Sequence, residues 1–134
     1  MSLLSQKSDF NYASAEHLQK ATYYCSVVHC AYYSCLQLMK HILLNNVGKT
    51  SEQIREESSK DPLGNGFHAY MISSTAKFLF PENKKQAVMF VTEMHSLRKL
   101  RSKADYEEVN IDVKMGKSSI ELSQKINKIL KNAL

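Results

Sequence analysis

Residues 87 to 104 carry Ala87, Phe90, Met94, Leu97, Arg101 and Ala104 at alternating steps of three and four. That spacing returns each side chain to one face of an α-helix and to no consistent face of a strand, so it commits the segment to a helix with an apolar seam. A second stripe runs through Val28, Ala31, Cys35, Leu38 and Ile42, and a third through Leu122, Ile126, Ile129 and Ala133. Each stripe has to be covered by another element, and four Gly and two Pro are too few for the turns of an all-β chain. One charge, Arg101, stands on the first seam.

The helices are delimited by local signals. Asn11 to Ala21 reads as a short first helix, with Ser8 or Asp9 as cap, and Tyr23 to Asn46 as a long second one stopped by Asn45, Asn46 and Gly48. Residues 49–66 hold at most one or two turns of helix after Ser51 and then lose their pattern through Asp61-Pro62 and Gly64-Asn65-Gly66, which predicts a mobile connection. Phe67 to Phe80 resumes helical character, with Met71, Ser74 and Phe78 along one side, and Pro81 ends it. Glu82 or Asn83 starts the helix that carries the arginine seam to about Tyr106. The stretch EEVNIDVKMGKSS reads as loop, because its Val-Asn-Ile-Asp-Val alternation is too short to pair as a sheet, and a last helix starts at Ser118 or Ser119. The expected fold is all-α: one domain over residues 1–134, an antiparallel up-and-down bundle of four long helices plus a short additional helix. The chain shows no internal repeat and no low-complexity tract.

The formal charge of +5 is mild and its lysines are scattered, with clusters at Lys84-Lys85 and at Arg98, Lys99, Arg101 and Lys103. Such a balance suits a solvated basic face or a surface for RNA or an acidic partner. Three cysteines, an odd number, with no stretch suited to a signal peptide, point to a reducing compartment and a cytoplasmic protein. The longest apolar runs fall far short of a membrane span, so no membrane partner is expected.

Several chemistries are disfavoured by spacing. Cys25, Cys30 and Cys35 follow one another by five residues. That is roughly 140° between successive thiols on a helix, which cannot converge on one metal. His17, His29, His41, His68 and His95 form no HxxxH or HxxE pair, so neither metal nor cofactor is expected. Phosphate-loop and GxSxG signatures are missing too. The Tyr pairs Tyr23-Tyr24 and Tyr32-Tyr33 are explained either by anchored core aromatics or by a cleft wall on which a base stacks. Arg101 is the sharper anomaly, since a buried guanidinium needs a partner. Asp105 lies at i+4, but basic before acidic is the weaker helical orientation, worth a few tenths of a kcal/mol. Either the arginine sits at a fraying helix end, or it is held in a cleft to meet a phosphate that its forked donors suit.

Three segments, AYYSCLQLMKHILLNNVG at 31–48, HAYMISSTAKFLF at 68–80 and LRKLRSKADYEE at 97–108, occur in the order and spacing of one known family. The first resembles the AYYAxFxAARALL segment of HEPN-domain proteins (higher eukaryotes and prokaryotes nucleotide-binding), the second that family's third helix, and the last its LRxxRxxADY segment. The resemblance is to the small stand-alone prokaryotic branch. It implies a helical bundle that is commonly a homodimer with a cleft between its two motif helices. It also implies a link to RNA or nucleotides, since many members are metal-independent ribonucleases acting as toxins beside a minimal nucleotidyltransferase antitoxin. Carried over by position, the motif arginine is Arg101, while the place of the motif histidine is taken by Tyr106, followed by Glu107 and Glu108. Histidine suits proton transfer because its pKa lies near neutrality, and tyrosine, near 10, would need strong tuning to replace it. An enzyme is therefore the less favoured expectation.

Three functions stay open on these residues. The leading one is a dimeric HEPN-like binding module whose cleft around Arg101, Asp105 and Tyr106 contacts RNA, a nucleotide or a protein partner, with Arg98, Tyr32, Tyr33 and His68 as further cleft candidates. The second is a divergent metal-independent endoribonuclease toxin in which Arg101 stabilises phosphate charge and Asp105, Tyr106 or His68 transfers protons. The third is a structural helical adaptor in which the same polar groups fix register.

Overall fold

The computed structural model describes residues 2–60 and 66–134, and these form six helices: α1 (Leu3–Lys20), α2 (Tyr24–Asn45), α3 (Ser51–Ser59), α4 (Gly66–Leu79), α5 (Lys84–Tyr106) and α6 (Val113–Asn132). Four starts are fixed by side-chain caps. The oxygens of Ser2, Thr50, Asn83 and Asp112 accept from the backbone N–H three residues on, and Gln53 closes a capping box by accepting from Thr50 N at 2.9 Å.

Two helices begin earlier than expected. α1 starts at Leu3 rather than near Asn11, because its first turns are built from serines that serve as a close-packing face. Ser8 Oγ donates to Ser34 O at 2.7 Å and Ser34 Oγ donates back to Ser8 O at 2.8 Å, a reciprocal pair that draws α1 onto α2. α6 starts at Val113 rather than Ser118, so the expected loop extends only to Asp112, whose carboxylate accepts from Met115 N at 2.9 Å. Gly116 lies inside this helix and marks a contact: a Cβ there would stand 2.2 Å from Gln19 Oε1.

The expected mobile connection over 49–66 is likewise corrected in part. Residues Ser51–Ser59 are a capped helix that buries Ile54 in the core, while Asp61, Pro62, Gly64 and Asn65 lie outside the described residues. Gly48, at φ +87°, makes the reversal between α2 and α3, and Lys49 N then bonds back to Leu43 O at 2.9 Å.

Hydrogen bonds between helices give their directions. Ser2 meets His41 while Ser8 meets Ser34, so α1 and α2 are antiparallel. Tyr33 meets Arg101 while His29 meets Asp105, so α2 and α5 are antiparallel. Gln19 Nε2 donates to Val113 O and Lys131 pairs with Asp9, so α6 runs against α1. Tyr32 of α2 meets His68 at the start of α4, and α3 lies against α4, where Glu57 meets Tyr70. α1 and α2, and likewise α5 and α6, thus run antiparallel as expected of an up-and-down bundle, but with five helices of fourteen residues or more and the nine-residue α3 in place of the four long helices and one short one expected.

α2 is the central element. Its stripe of Val28, Ala31, Cys35, Leu38 and Ile42 is fully buried, and the last four share one core cluster with Met71 of α4, Phe90, Met94 and Leu97 of α5, and Ile126 and Leu130 of α6. Leu122 and Ala133 of the third stripe are only partly covered. Truncating such a residue to Ala costs about 2–5 kcal/mol, so the seams fix how α2 and α5 lie together. Ser123 Oγ donates to Ala31 O at 2.9 Å and Asn127 Nδ2 to Ser34 Oγ at 2.9 Å, which pins α6 on α2 in one register. Among the described residues, no helix is long and apolar enough to cross a membrane.

Candidate functional site

The α5 seam is apolar from Ala87 to Leu97, and one turn later it reaches the level of Tyr32 and Tyr33 on α2, where the interface becomes polar. Arg101 fills that position and is only 6% exposed. Its guanidinium lies 5.3 Å from the Tyr32 ring centroid, 5.7 Å from Tyr33 and 4.9 Å from Tyr106. Nε donates to Asp105 Oδ2 at 3.0 Å, and Nη2 donates to the hydroxyls of Tyr33 at 3.2 Å and Tyr106 at 2.8 Å. The charge on the seam is therefore held by one carboxylate and two phenols, with three aromatic faces around it. Burial opposes that charge, but the oxygens of Tyr33, Tyr106 and Asp105 prevail and raise the pKa of Arg101 above its ordinary value.

Asp105 bridges Arg101 and His29. Its Oδ2 accepts from Arg101 and also lies 3.0 Å from His29 Nδ1, with Oδ1 at 3.2 Å. The His29 ring leans on Tyr33, centroids 4.6 Å apart. On the other side, Tyr32 OH lies 2.7 Å from His68 Nδ1. Burial pushes the Tyr32 pKa up to about 12, against the opposing pull of Arg98 and Arg101, so the phenol keeps its proton. Burial and then the charges of Arg101 and Arg98 lower the pKa of His68, so the ring is neutral and Nδ1 accepts from the tyrosine.

All seven residues singled out in the sequence meet at this end of the bundle. Arg101, Asp105, Tyr106, Tyr32, Tyr33 and His68 form one network, and Arg98 lies close enough to act electrostatically on Tyr32 and His68. His29 belongs to the same network and was not expected there. The signal for it lies in the spacing: His29 precedes Tyr33 by four residues, one turn along the same face of α2. The cysteines do not converge: Cys25 is exposed, Cys30 partly buried and Cys35 buried. Burial pushes the Cys35 thiol up to about 12, which keeps it protonated and inert. Among the described residues, no group of His, Cys, Asp or Glu side chains is arranged to hold a metal.

No family model matches the chain, and neither the curated proteins nor the solved structures give a match. The segments that carry the HEPN resemblance fall on the network's own elements: residues 31–48 lie on and just beyond α2, 68–80 cover α4, and 97–108 end α5.

The formal charge is uneven along the chain. Residues 84–134, from α5 onward, hold eleven of the eighteen Lys and Arg but six of the thirteen Asp and Glu, so the whole formal charge of +5 resides there. A shallow recess of about 390 Å³ beside the network is lined by His95, Arg98, Lys99, Ser102, Lys103 and Glu107 on the outer face of α5. Among the described residues, Arg98, Lys99 and Lys103 make no ion pair. Unpaired cations beside aromatic rings attract phosphate and offer faces for bases.

Proposed function

We propose that this chain is a HEPN-like helical module that binds single-stranded RNA at the α2–α4–α5 end of the bundle. The observation that carries the proposal is the cluster of unpaired Arg98, Lys99 and Lys103 on α5 next to the tyrosine-framed Arg101. Arg98 and its neighbours are the outer phosphate contacts. Tyr106, 73% exposed at the last position of α5, covers Arg101 with a hydroxyl placed where a phosphate oxygen would accept from Nη2. Withdrawal of that ring opens the guanidinium to the strand.

Fluorescence anisotropy with a labelled mixed-sequence RNA tests this. Each phosphate contact contributes a slope of about −0.7 to the plot of log affinity against log salt for a single strand. Arg98→Ala and Lys103→Ala are expected to weaken binding and to flatten that slope, each by about one contact's share. Binding that is undetectable at low salt, or indifferent to both substitutions, refutes the proposal.

A second reading is favoured by the bonds Arg101 already makes, its Nε and Nη2 being engaged within the fold. On that view the cluster fixes the register of α2 against α5 and takes no ligand. Loss of thermal stability in Arg101→Ala without any detectable RNA affinity in the wild type selects it.

A further inference from the structure

We propose that the recess between α1 and α6 is a binding site for a small polyhydroxylated carboxylate, of the size and chemistry of a hexuronic acid. It lies apart from the Arg101 network: its lining comes from α1 and α6, whereas the network is built on α2, α4 and α5.

The two helices come close at one end only. At Gly116 they meet, since a Cβ there would stand 2.2 Å from Gln19 Oε1. At the other end they are joined by long side chains, Lys131 Nζ to Asp9 Oδ1 at 3.0 Å. Toward that end lies a recess of about 520 Å³, within the range of small-molecule sites. Its α6 wall consists of Gln124, Asn127, Lys128, Lys131 and Asn132, which recur at i, i+3, i+4, i+7 and i+8 on one helix face, none of them apolar. A face turned toward a neighbouring helix is ordinarily apolar, so packing does not account for this one.

Asn127 is the member that points to a ligand. It is only 7% exposed, and its Nδ2 donates to Ser34 Oγ at 2.9 Å. The amide has one orientation, because the Ser34 hydroxyl gives its own hydrogen to Ser8 O at 2.8 Å and keeps only lone pairs for Asn127. Oδ1 is thereby left buried without a hydrogen-bond partner. A buried carbonyl in that state calls for a donor, and a ligand hydroxyl supplies one once the exposed side chains of Lys128 and Lys131 turn aside. The rest of the recess selects the ligand. The carboxamides of Gln124 and Asn132 each donate and accept, as the neighbouring hydroxyls of a sugar do. Tyr12 of α1, partly buried, offers a flat face to the C–H side of a sugar ring. Asp9 is matched by Lys131, while Lys128 makes no ion pair among the described residues, so the recess carries one unmatched positive charge, and that cation takes the carboxylate.

Calorimetric titration and amide NMR of the whole chain with glucuronate, glucose and acetate test the assignment. Glucuronate is expected to bind saturably and to shift the signals of Tyr12, Gln124, Asn127 and Asn132. Glucose lacks the carboxylate and acetate lacks the hydroxyls, and each is expected to bind at least about tenfold more weakly. Lys128→Gln, a change at an exposed position, is expected to lower glucuronate affinity about tenfold and to leave that for glucose unchanged. Asn127→Leu is expected to abolish binding of both sugars while thermal unfolding shows the bundle intact; if that variant does not fold, Lys128→Gln decides. No saturable binding of glucuronate at millimolar concentrations, equal affinity for glucose or acetate, or wild-type glucuronate affinity in Lys128→Gln overturns the proposal.

Discussion

Removing the Asp105 carboxylate isolates Arg101 and measures how the seam tolerates its charge. In Asp105→Ala the guanidinium, 6% exposed, keeps only the two phenol oxygens of Tyr33 and Tyr106. Breaking a fully buried pair by deleting one member costs about 3–5 kcal/mol, because the surviving charge stays desolvated. Here the Asp105 side chain is 18% exposed and two neutral acceptors remain, which places the cost at the low end, about 2–3 kcal/mol. For a chain of this length that is a fall in Tm of roughly 6–10 °C. Arg101→Met removes the charge but keeps most of the side-chain volume, and it is expected to cost less, about 1 kcal/mol, since no ion is stranded. The double variant is therefore expected to be more stable than Asp105→Ala alone. Thermal or urea unfolding of the four proteins closes the cycle. If Asp105→Ala unfolds with the wild type, or if adding Arg101→Met makes it worse by the full single-variant amount, the carboxylate is not what holds the arginine on the seam.

Two further outcomes follow from single residues. Thr22, between α1 and α2, has φ +70°, a region that a β-branched residue enters only with strain; Thr22→Gly is expected to raise stability by about 1 kcal/mol in urea unfolding, and a loss would contradict it. His68 has a pKa below its ordinary 6.5 through burial and the charges of Arg101 and Arg98, so the unfolded chain binds its proton first as pH falls. Stability is expected to decline as pH drops through 6.5 toward the lower folded value, and His68→Asn is expected to flatten that part of the profile; an unchanged profile would refute the assignment.

The long stripes were readable in the sequence because large apolar residues at helical spacing have only one use. Thus α2, α4 and α5 run within a few residues of their expected bounds, and the one charge on the α5 seam marked the polar end of the core. Contacts made by small side chains were not readable. Ser5 and Ser8 look like solvent residues, yet they form the buried face of α1, and Gly116 looks like a loop residue where it is a close approach to Gln19. α3 has one buried apolar residue, Ile54, too few for a stripe; its capping box was the available signal. In the site, Arg101, Asp105 and Tyr106 shared one local motif. No spacing ties Tyr32, Tyr33 and His68 to Arg101 in the sequence, and His29 is hidden there because its partner is seventy-six residues away.

The proposal is a location: single-stranded RNA would meet the chain where Arg98, Arg101 and Tyr106 close the α2–α4–α5 end. Amide and arginine side-chain NMR shifts recorded during titration with a short single-stranded RNA test it most directly. The account predicts the largest changes at Arg98, Arg101 and residues 103–108, with smaller ones at His29 and His68. Changes confined to the outer face of α1, or none at RNA concentrations that saturate the anisotropy, would contradict it.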